Sequence, residues 1–201
     1  MKLTSLTVGS IGTNCYILYR EDTKAAVVID PGDDATLVEA RIAALSLEPR
    51  AILLTHGHFD HGGDVERLRR RWPVPVWCHD ADRAMPSWLT HGAAWTDALR
   101  DGQRLDFDGL CFTVLHTPGH TPGSVCFLCE DLLFSGDTLF AGSCGRTDLP
   151  GGSWRDMAAS LRRLAALEGE YRVLPGHGES STLSLERAEN PYLELALHQA
   201  E

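Results

Sequence analysis

Residues 56–61 read His-Gly-His-Phe-Asp-His, directly after the apolar run Ala51-Ile52-Leu53-Leu54. Three imidazoles and a carboxylate in so short a stretch make no sense as ordinary packing, because buried polar groups without partners lose their hydration. The run therefore predicts a metal centre at the end of a buried strand. Any fold this chain adopts must bring further donors to that same end.

Three other places supply them. His120 stands in Thr117-Pro118-Gly119-His120-Thr121-Pro122-Gly123, Asp137 in Ser135-Gly136-Asp137, and His177 in Pro175-Gly176-His177-Gly178. Each follows a predicted strand (111–115, 132–135 and 172–174), beside a glycine that permits unusual backbone angles and close approach. The candidate ligands are thus His56, His58, Asp60, His61, His120, Asp137 and His177. They are too many for one tetrahedral ion and suit two divalent ions sharing a carboxylate. His56 and His58 alternate, so both can point one way from an extended loop, while Asp60 and His61 fall on a turn that reaches a second ion. Zinc is the first expectation, with iron and manganese as alternatives. Two divalent ions, the carboxylates of Asp60 and Asp137 and one hydroxide leave the site net positive, able to take an anionic oxygen. Water on such an ion has its pKa lowered to about 7.

The remaining histidines, His79, His91, His116 and His198, fit ordinary packed or solvated positions, with His79 and His116 near enough to strand ends to stand behind or line the site. Cys126 and Cys129 resemble a metal or redox pair, but positions three apart on a strand face opposite sides, so they are read as packing. Cys144 falls in the loop after Asp137 and is not assigned as a ligand. Arg146 in the same loop is a candidate to hold a substrate carboxylate. An ion pair with Asp148 is its competing use.

Residues 3–8, 14–19 and 25–30 alternate or run apolar and predict an opening antiparallel sheet. A helix over 33–47 follows, capped by Asp33 or Asp34. Strand 51–54, a helix over 63–71 and a strand over 74–77 come next. Residues 80–101 read as a short helix and irregular loop. Strands 111–115, 124–129 and 132–135 precede a Gly-rich segment, 137–152, that is not expected to be regular. A helix over 153–167, strand 172–174 and a terminal helix over 181–198, interrupted near Pro191, complete the chain. Two face-to-face sheets with helices outside satisfy this order.

The 201 residues suit one domain. With 18 Lys+Arg against 28 Asp+Glu, the net charge of −10 disfavours nucleic acid and anionic membrane surfaces. No apolar stretch approaches the roughly 20 residues of a membrane span. The N-terminus reads as a strand and not a signal peptide, and the six scattered cysteines suit free thiols in a reducing cytoplasm.

Taken together, Thr13-Asn14-Cys15-Tyr16, Ile29-Asp30-Pro31-Gly32, the His56–His61 run and the segments around His120, Asp137 and His177 resemble the metallo-β-lactamase fold superfamily over nearly the whole chain. The resemblance implies an α+β fold, a four-layer αβ/βα sandwich with the metals at the edge of the two sheets. Within the superfamily the chain is similar to short glyoxalase II-like hydrolases, also in Glu186-Arg187-x-x-Asn190-Pro191. That likeness implies His56, His58 and His120 on a first metal, Asp60, His61 and His177 on a second, and Asp137 bridging. It implies hydrolysis of a small-molecule thioester, of the acyl-glutathione kind, by a metal-bridging hydroxide that Asp60 orients and whose proton it can accept. Glyoxalase II enzymes carry a further C-terminal helical region that helps bind glutathione, and residues 1–201 are expected to lack it. Arg146 takes the place of a Lys in their substrate loop.

The alternative is a mononuclear iron dioxygenase acting on glutathione persulfide, a family that shares this fold and uses the equivalents of His56, His120 and Asp137. Cys144-Gly145-Arg146-Thr147-Asp148 also resembles that family, while the Pro-Gly-His-Gly context of His177 speaks for a second metal. Diiron electron-transfer members replace the second His of the run by Glu, so His58 argues against them. The expected assembly is a monomer or small homo-oligomer.

Overall fold

Strict alternation along the central strands decides the architecture. In the computed structural model, which describes residues 1–198, strand β2 (Thr13–Tyr19) sends Cys15 and Ile17 to one face and Tyr16 and Leu18 to the other, all buried. Strand β3 (Ala25–Ile29) divides Ala26 and Val28 from Val27 and Ile29 in the same way. A strand buried on both faces must be covered on both, so these residues demand layers above and below.

The first sheet runs in the order β1 (Lys2–Val8), β2, β3, β4 (Glu48–Leu53), β5 (Val76–His79), β6 (Asp97–Leu99). Its opening three strands are antiparallel and its later pairs parallel. Strands β7 (Arg104–Phe107), β8 (Leu110–His116), β9 (Val125–Cys129) and β10 (Leu132–Gly136) belong to the second sheet. The ribbon β11 (Leu139–Phe140) and β12 (Ser143–Cys144) stands apart. Strands β13 (Arg172–Pro175) and β14 (Ser181–Thr182) complete the second sheet, ordered β14-β13-β10-β9-β8-β7. Phe112, Phe127 and Phe134 meet Leu18, Ile29 and Leu53 between the sheets. Helices α1 (Ala35–Ala44) and α3 (Val65–Arg71) cover the outside of the first sheet. The short α2 (Phe59–Gly62) and α4 (Ser87–Thr90) lie at its end. Helices α5 (Trp154–Ala165), α6 (Leu183–Glu189) and α7 (Pro191–His198) cover the second sheet through Met157, Leu161, Leu164, Leu183 and Leu193. The fold is the αβ/βα sandwich.

Local chemistry explains the element ends. Asp34 caps α1 by accepting from Leu37 N, Ser153 caps α5 at Asp156 N, and Thr182 caps α6 at Leu185 N. Each such cap stabilises a helix by about 1 kcal/mol. Several expectations shift. The strand read over 74–77 starts at Val76, because Pro73 and Pro75 have no N–H to give a ladder. The segment over 80–101 holds β6, too short for its alternation to show. Strand β7 and the short β14 were also not anticipated. The 137–152 segment is not wholly irregular, since Leu139 and Phe140 pair with Cys144 and Ser143. Cys126 and Cys129 fall into different layers, on opposite faces of β9 as expected. None of the helices among the described residues is long and apolar enough to cross a membrane.

One edge of the sandwich is cross-bonded. Asn14 N donates to Gly176 O (2.7 Å), the Asn14 amide donates to Pro175 O and Gly178 O, and the Tyr16 hydroxyl donates to Pro175 O (2.8 Å). Val125 N donates to Thr55 O (2.8 Å). These bonds tie β2 to the end of β13 and the end of β4 to the start of β9, at the edge where the donor residues lie.

Candidate metal centre

All seven donor residues converge at that edge. His56 follows β4 in a bend, and His58, in extended backbone, precedes α2, whose turn carries Asp60 and His61. His120 comes from the β8–β9 loop, Asp137 follows β10 and His177 follows β13. His58 Nδ1 lies 3.1 Å from His56 Nε2 and 3.0 Å from His120 Nε2. Nitrogens about 2.0–2.1 Å from one tetrahedral ion stand roughly 3.3 Å apart, so the spacing matches a shared ion. Beside this triad, Asp60 Oδ2 lies 3.1 Å from His177 Nε2 and 3.4 Å from His61 Nε2. Asp137 stands between the groups, with Oδ1 3.4 Å from His61 Nε2 and Oδ2 3.5 Å from His120 Nε2. The ligand atoms form the compact sets His56, His58, His120; Asp60, His61, His177; and His56, His61, Asp137.

The donors fit divalent ions on a further observation. His61 Nε2 and Asp137 Oδ1 are buried with no hydrogen-bond partner, an arrangement native cores avoid unless an ion or water completes it. Two of the triad's far nitrogens are anchored: Thr55 Oγ1 lies 3.2 Å from His56 Nδ1 and Arg146 O lies 2.8 Å from His120 Nδ1, while His61 Nδ1 faces the Asp30 carboxylate at 3.0 Å as a charge contact. Such outer contacts fix the tautomer and aim the opposite lone pair at the ion. The donor set supports a two-metal site and does not distinguish zinc from iron or manganese.

Electrostatics divide the groups. Burial, then repulsion from the neighbouring imidazoles, holds His56 well below the usual histidine range and pushes His58 down to about 4. Both are therefore neutral ligands. Burial opposes ionisation of Asp60 and Asp137, but the charges and hydrogen bonds of the surrounding imidazoles, His61 foremost, together outweigh it and hold both carboxyls low. Burial also opposes the charged form of His61, yet Asp30, Asp137 and Asp60 raise it. His177 is likewise raised, chiefly by its hydrogen bond to Asp60.

Two buried acids behind the site were not singled out from the sequence. Asp30 ends β3 in left-handed backbone (φ 50°) and accepts from Thr55 N and Thr55 Oγ1 (2.8 and 2.7 Å). Its place before Pro31-Gly32 marked a turn but not this contact. Asp82 accepts from Gly57 N (2.8 Å), Thr121 Oγ1 (3.0 Å) and Gly123 N (2.6 Å). It thus joins the loop of His56 and His58 to the loop of His120. A Cβ on Gly123 would meet Asp82 Cγ at 2.6 Å, which explains that glycine. At Gly176 a Cβ would strike Asp137 Oδ1 and lie 2.6 Å from His61 Cε1, so the centre itself requires glycine there.

His79 stacks on His116 (centroids 4.2 Å apart, planes 8° apart) and His91 on Phe59, while His198 is exposed; none joins the donor sets. In front of the centre lies a cavity of about 650 Å³, lined by Phe59, Leu89, Phe140, Cys144, Arg146 and others. Cys144 is half-buried and its thiol is pushed up to about 11 by burial. Arg146 reaches the cavity rim, exposed, while its guanidinium donates twice to Asp148 (2.7 and 2.8 Å). Glu186 and Asn190 hold the β11–β12 ribbon from behind. Glu186 accepts from Gly142 N, and the Asn190 amide donates to Phe140 O and Ser143 O.

The family model described as "Metallo-beta-lactamase superfamily" matches residues 8–177. Hydroxyacylglutathione hydrolase GloC of Haemophilus influenzae is 34% identical, over 96% of this chain and 98% of that protein. The solved structure of BLEG-1 B3 metallo-beta-lactamase superposes with a TM-score of 0.87 at 39% identity, over 96% of this chain and 99% of that one. That of TTHA1623 in a di-iron-bound form gives 0.83 at 40% identity, over 94% and 99%. With its fold, its donor set and these relatives in agreement, the chain belongs to the metallo-beta-lactamase superfamily and is related to its hydroxyacylglutathione hydrolases.

Proposed function

We propose that the protein is a metal-dependent hydrolase of a small-molecule thioester of the acyl-glutathione type. The observation that carries this reading is the pairing of two ligand groups across Asp137, opening on one cavity. His56, His58 and His120 would hold one ion, Asp60, His61 and His177 the other, with Asp137 between them; zinc is favoured, and the di-iron relative keeps iron in view. When bound, the two ions supply a hydroxide near neutral pH and positive charge against the carbonyl oxygen.

The chain's own groups do the rest. Asp60 accepts from Thr13 Oγ1 (3.2 Å) and faces both His61 and His177, so its carboxylate is fixed in direction. Fixed in this way, it would orient a hydroxide supplied at the centre. The chemistry the bound ions would supply is attack of hydroxide on the thioester carbonyl carbon, with the C–S bond broken and the carrier leaving as thiolate. Arg146 is the cation at the rim that a carboxylate of the thiol carrier would meet, in competition with Asp148.

A mononuclear iron dioxygenase acting on a persulfide is the second reading, favoured by the approach of His120 to Asp137 in a two-His-one-carboxylate grouping with His56. The test is cleavage of S-lactoylglutathione by metal-replete protein. Release of free thiol, abolished by a chelator, supports the hydrolase. Oxygen uptake with glutathione persulfide and no thioester cleavage overturns it.

A further inference from the structure

Apart from the donors themselves, the cavity wall is mostly apolar, and its charge outside the donor set, Arg146, stands at the rim. Phe59 sits between His58 and Asp60 in the chain, and the Phe140 ring centroid lies 6.3 Å from that of His177. Leu89 is buried, while Leu149 and Ile11 extend the same lining outward. Among the described residues, Arg146 is the only cation besides the histidines that lines the cavity, and Asp148 already holds it. A thiol carrier bearing several carboxylates therefore finds one partner here, in competition with an acid of the chain. The net charge of −10 gives it no help from a distance. Binding energy must come from contact with the apolar wall next to the reacting carbonyl.

We infer that this site selects its substrate by an apolar acyl chain, seated against Phe59, Leu89 and Phe140 and reaching Leu149 and Ile11, and not by the thiol carrier. The inference rests on the thioester reading for its kinetics but has a binding test of its own. Each methylene moved from water into the cavity strengthens binding by about two- to fourfold. The acyl chain is the part of such a substrate with methylenes to offer, since the carrier is polar and faces the rim.

The experiment has two arms on the metal-replete protein. In the first, kcat/KM is measured for S-acetyl-, S-lactoyl-, S-butyryl- and S-hexanoylglutathione, and for hexanoyl-N-acetylcysteamine, whose carrier is neutral. The expected result is a rise of about two- to fourfold per methylene, with hexanoyl above lactoyl by at least about tenfold and the two hexanoyl esters within about tenfold of each other. In the second, the Kd of the non-cleavable S-methyl-, S-butyl- and S-hexylglutathione is measured and should fall with chain length. Ile11→Ser and Leu149→Ser, both at accessible positions, should flatten the two series. Equal or falling values with chain length, in wild-type protein, overturn the inference. If no thioester is cleaved but the alkyl series still tightens, the apolar seat stands and the thioester reading fails. If lactoyl and acetyl are cleaved best and binding is flat, the hydrolase stands and the apolar seat fails.

Discussion

The triad of His56, His58 and His120 and the group of Asp60, His61 and His177 share one edge of the sandwich but are built differently. The triad is all imidazole and buried; its two source loops are tied by one carboxylate, Asp82. The second group is rich in charge, with Asp60 and His177 only part-buried, and it is tied to the first sheet through Asn14 and Thr13. In the first, burial removes protons from the ligands; in the second, carboxylates draw protons onto them. Two pockets of similar donor count can thus differ in how strongly protons compete with an ion, and the difference lies in neighbours more than in ligand type.

The sharpest break in this comparison is loss of a ligand from either side. His58→Ala should remove the triad's ion and His177→Ala the other. Each should lower kcat/KM by more than about a hundredfold, since even outer contacts to a metal ligand cost about 10- to 100-fold. Metal analysis of the two variants checks this. Asp82→Asn comes next, because an amide offers one acceptor oxygen to two backbone N–H groups and a hydroxyl. Metal affinity at the triad should fall about 10- to 100-fold with the second group's retained, read by chelator titration; equal loss from both groups would erase the distinction.

Acidification should separate the groups without mutation. His177 is raised, so protons reach it nearer neutrality, whereas His58 at about 4 resists them. Metal binding needs the unprotonated ligand. As pH falls below neutrality the second group should therefore release its ion first, and competition experiments across that range would show the order. The smallest effect is expected at Asn190→Ala, which frees Phe140 O and Ser143 O behind the cavity wall. KM should rise by about 5-fold, from the roughly 1 kcal/mol at the low end of the cost of an unsatisfied group, with metal content unchanged. A fall in metal content would mean the ribbon supports the centre and not the substrate.

Much of this centre was legible because its donors sit beside strand ends with glycines that permit close approach, as at Gly176. The sandwich was legible for a different reason: β2 and β3 carry apolar residues on both faces. Asp82 was not legible: an aspartate in a short 3₁₀ turn carries no local mark, and its three donors lie 25 to 41 residues away. Strand β6, with three residues, is too short for a period to show. Glu186 and Asn190 were visible as a motif, but their contact with the Phe140 ribbon depends on how α6 docks, which no local pattern states. The Arg146–Asp148 pair was one of two uses the sequence allowed, and the structure shows it at the mouth of the cavity.

The most direct test of the account is the number of metal ions per chain in the purified, metal-replete protein, measured by mass spectrometry of the intact protein under native conditions. Two ions per chain, reduced to one in both His58→Ala and His177→Ala, is the predicted result. One ion in the unaltered protein, lost in His58→Ala but kept in His177→Ala, would contradict the two-metal centre.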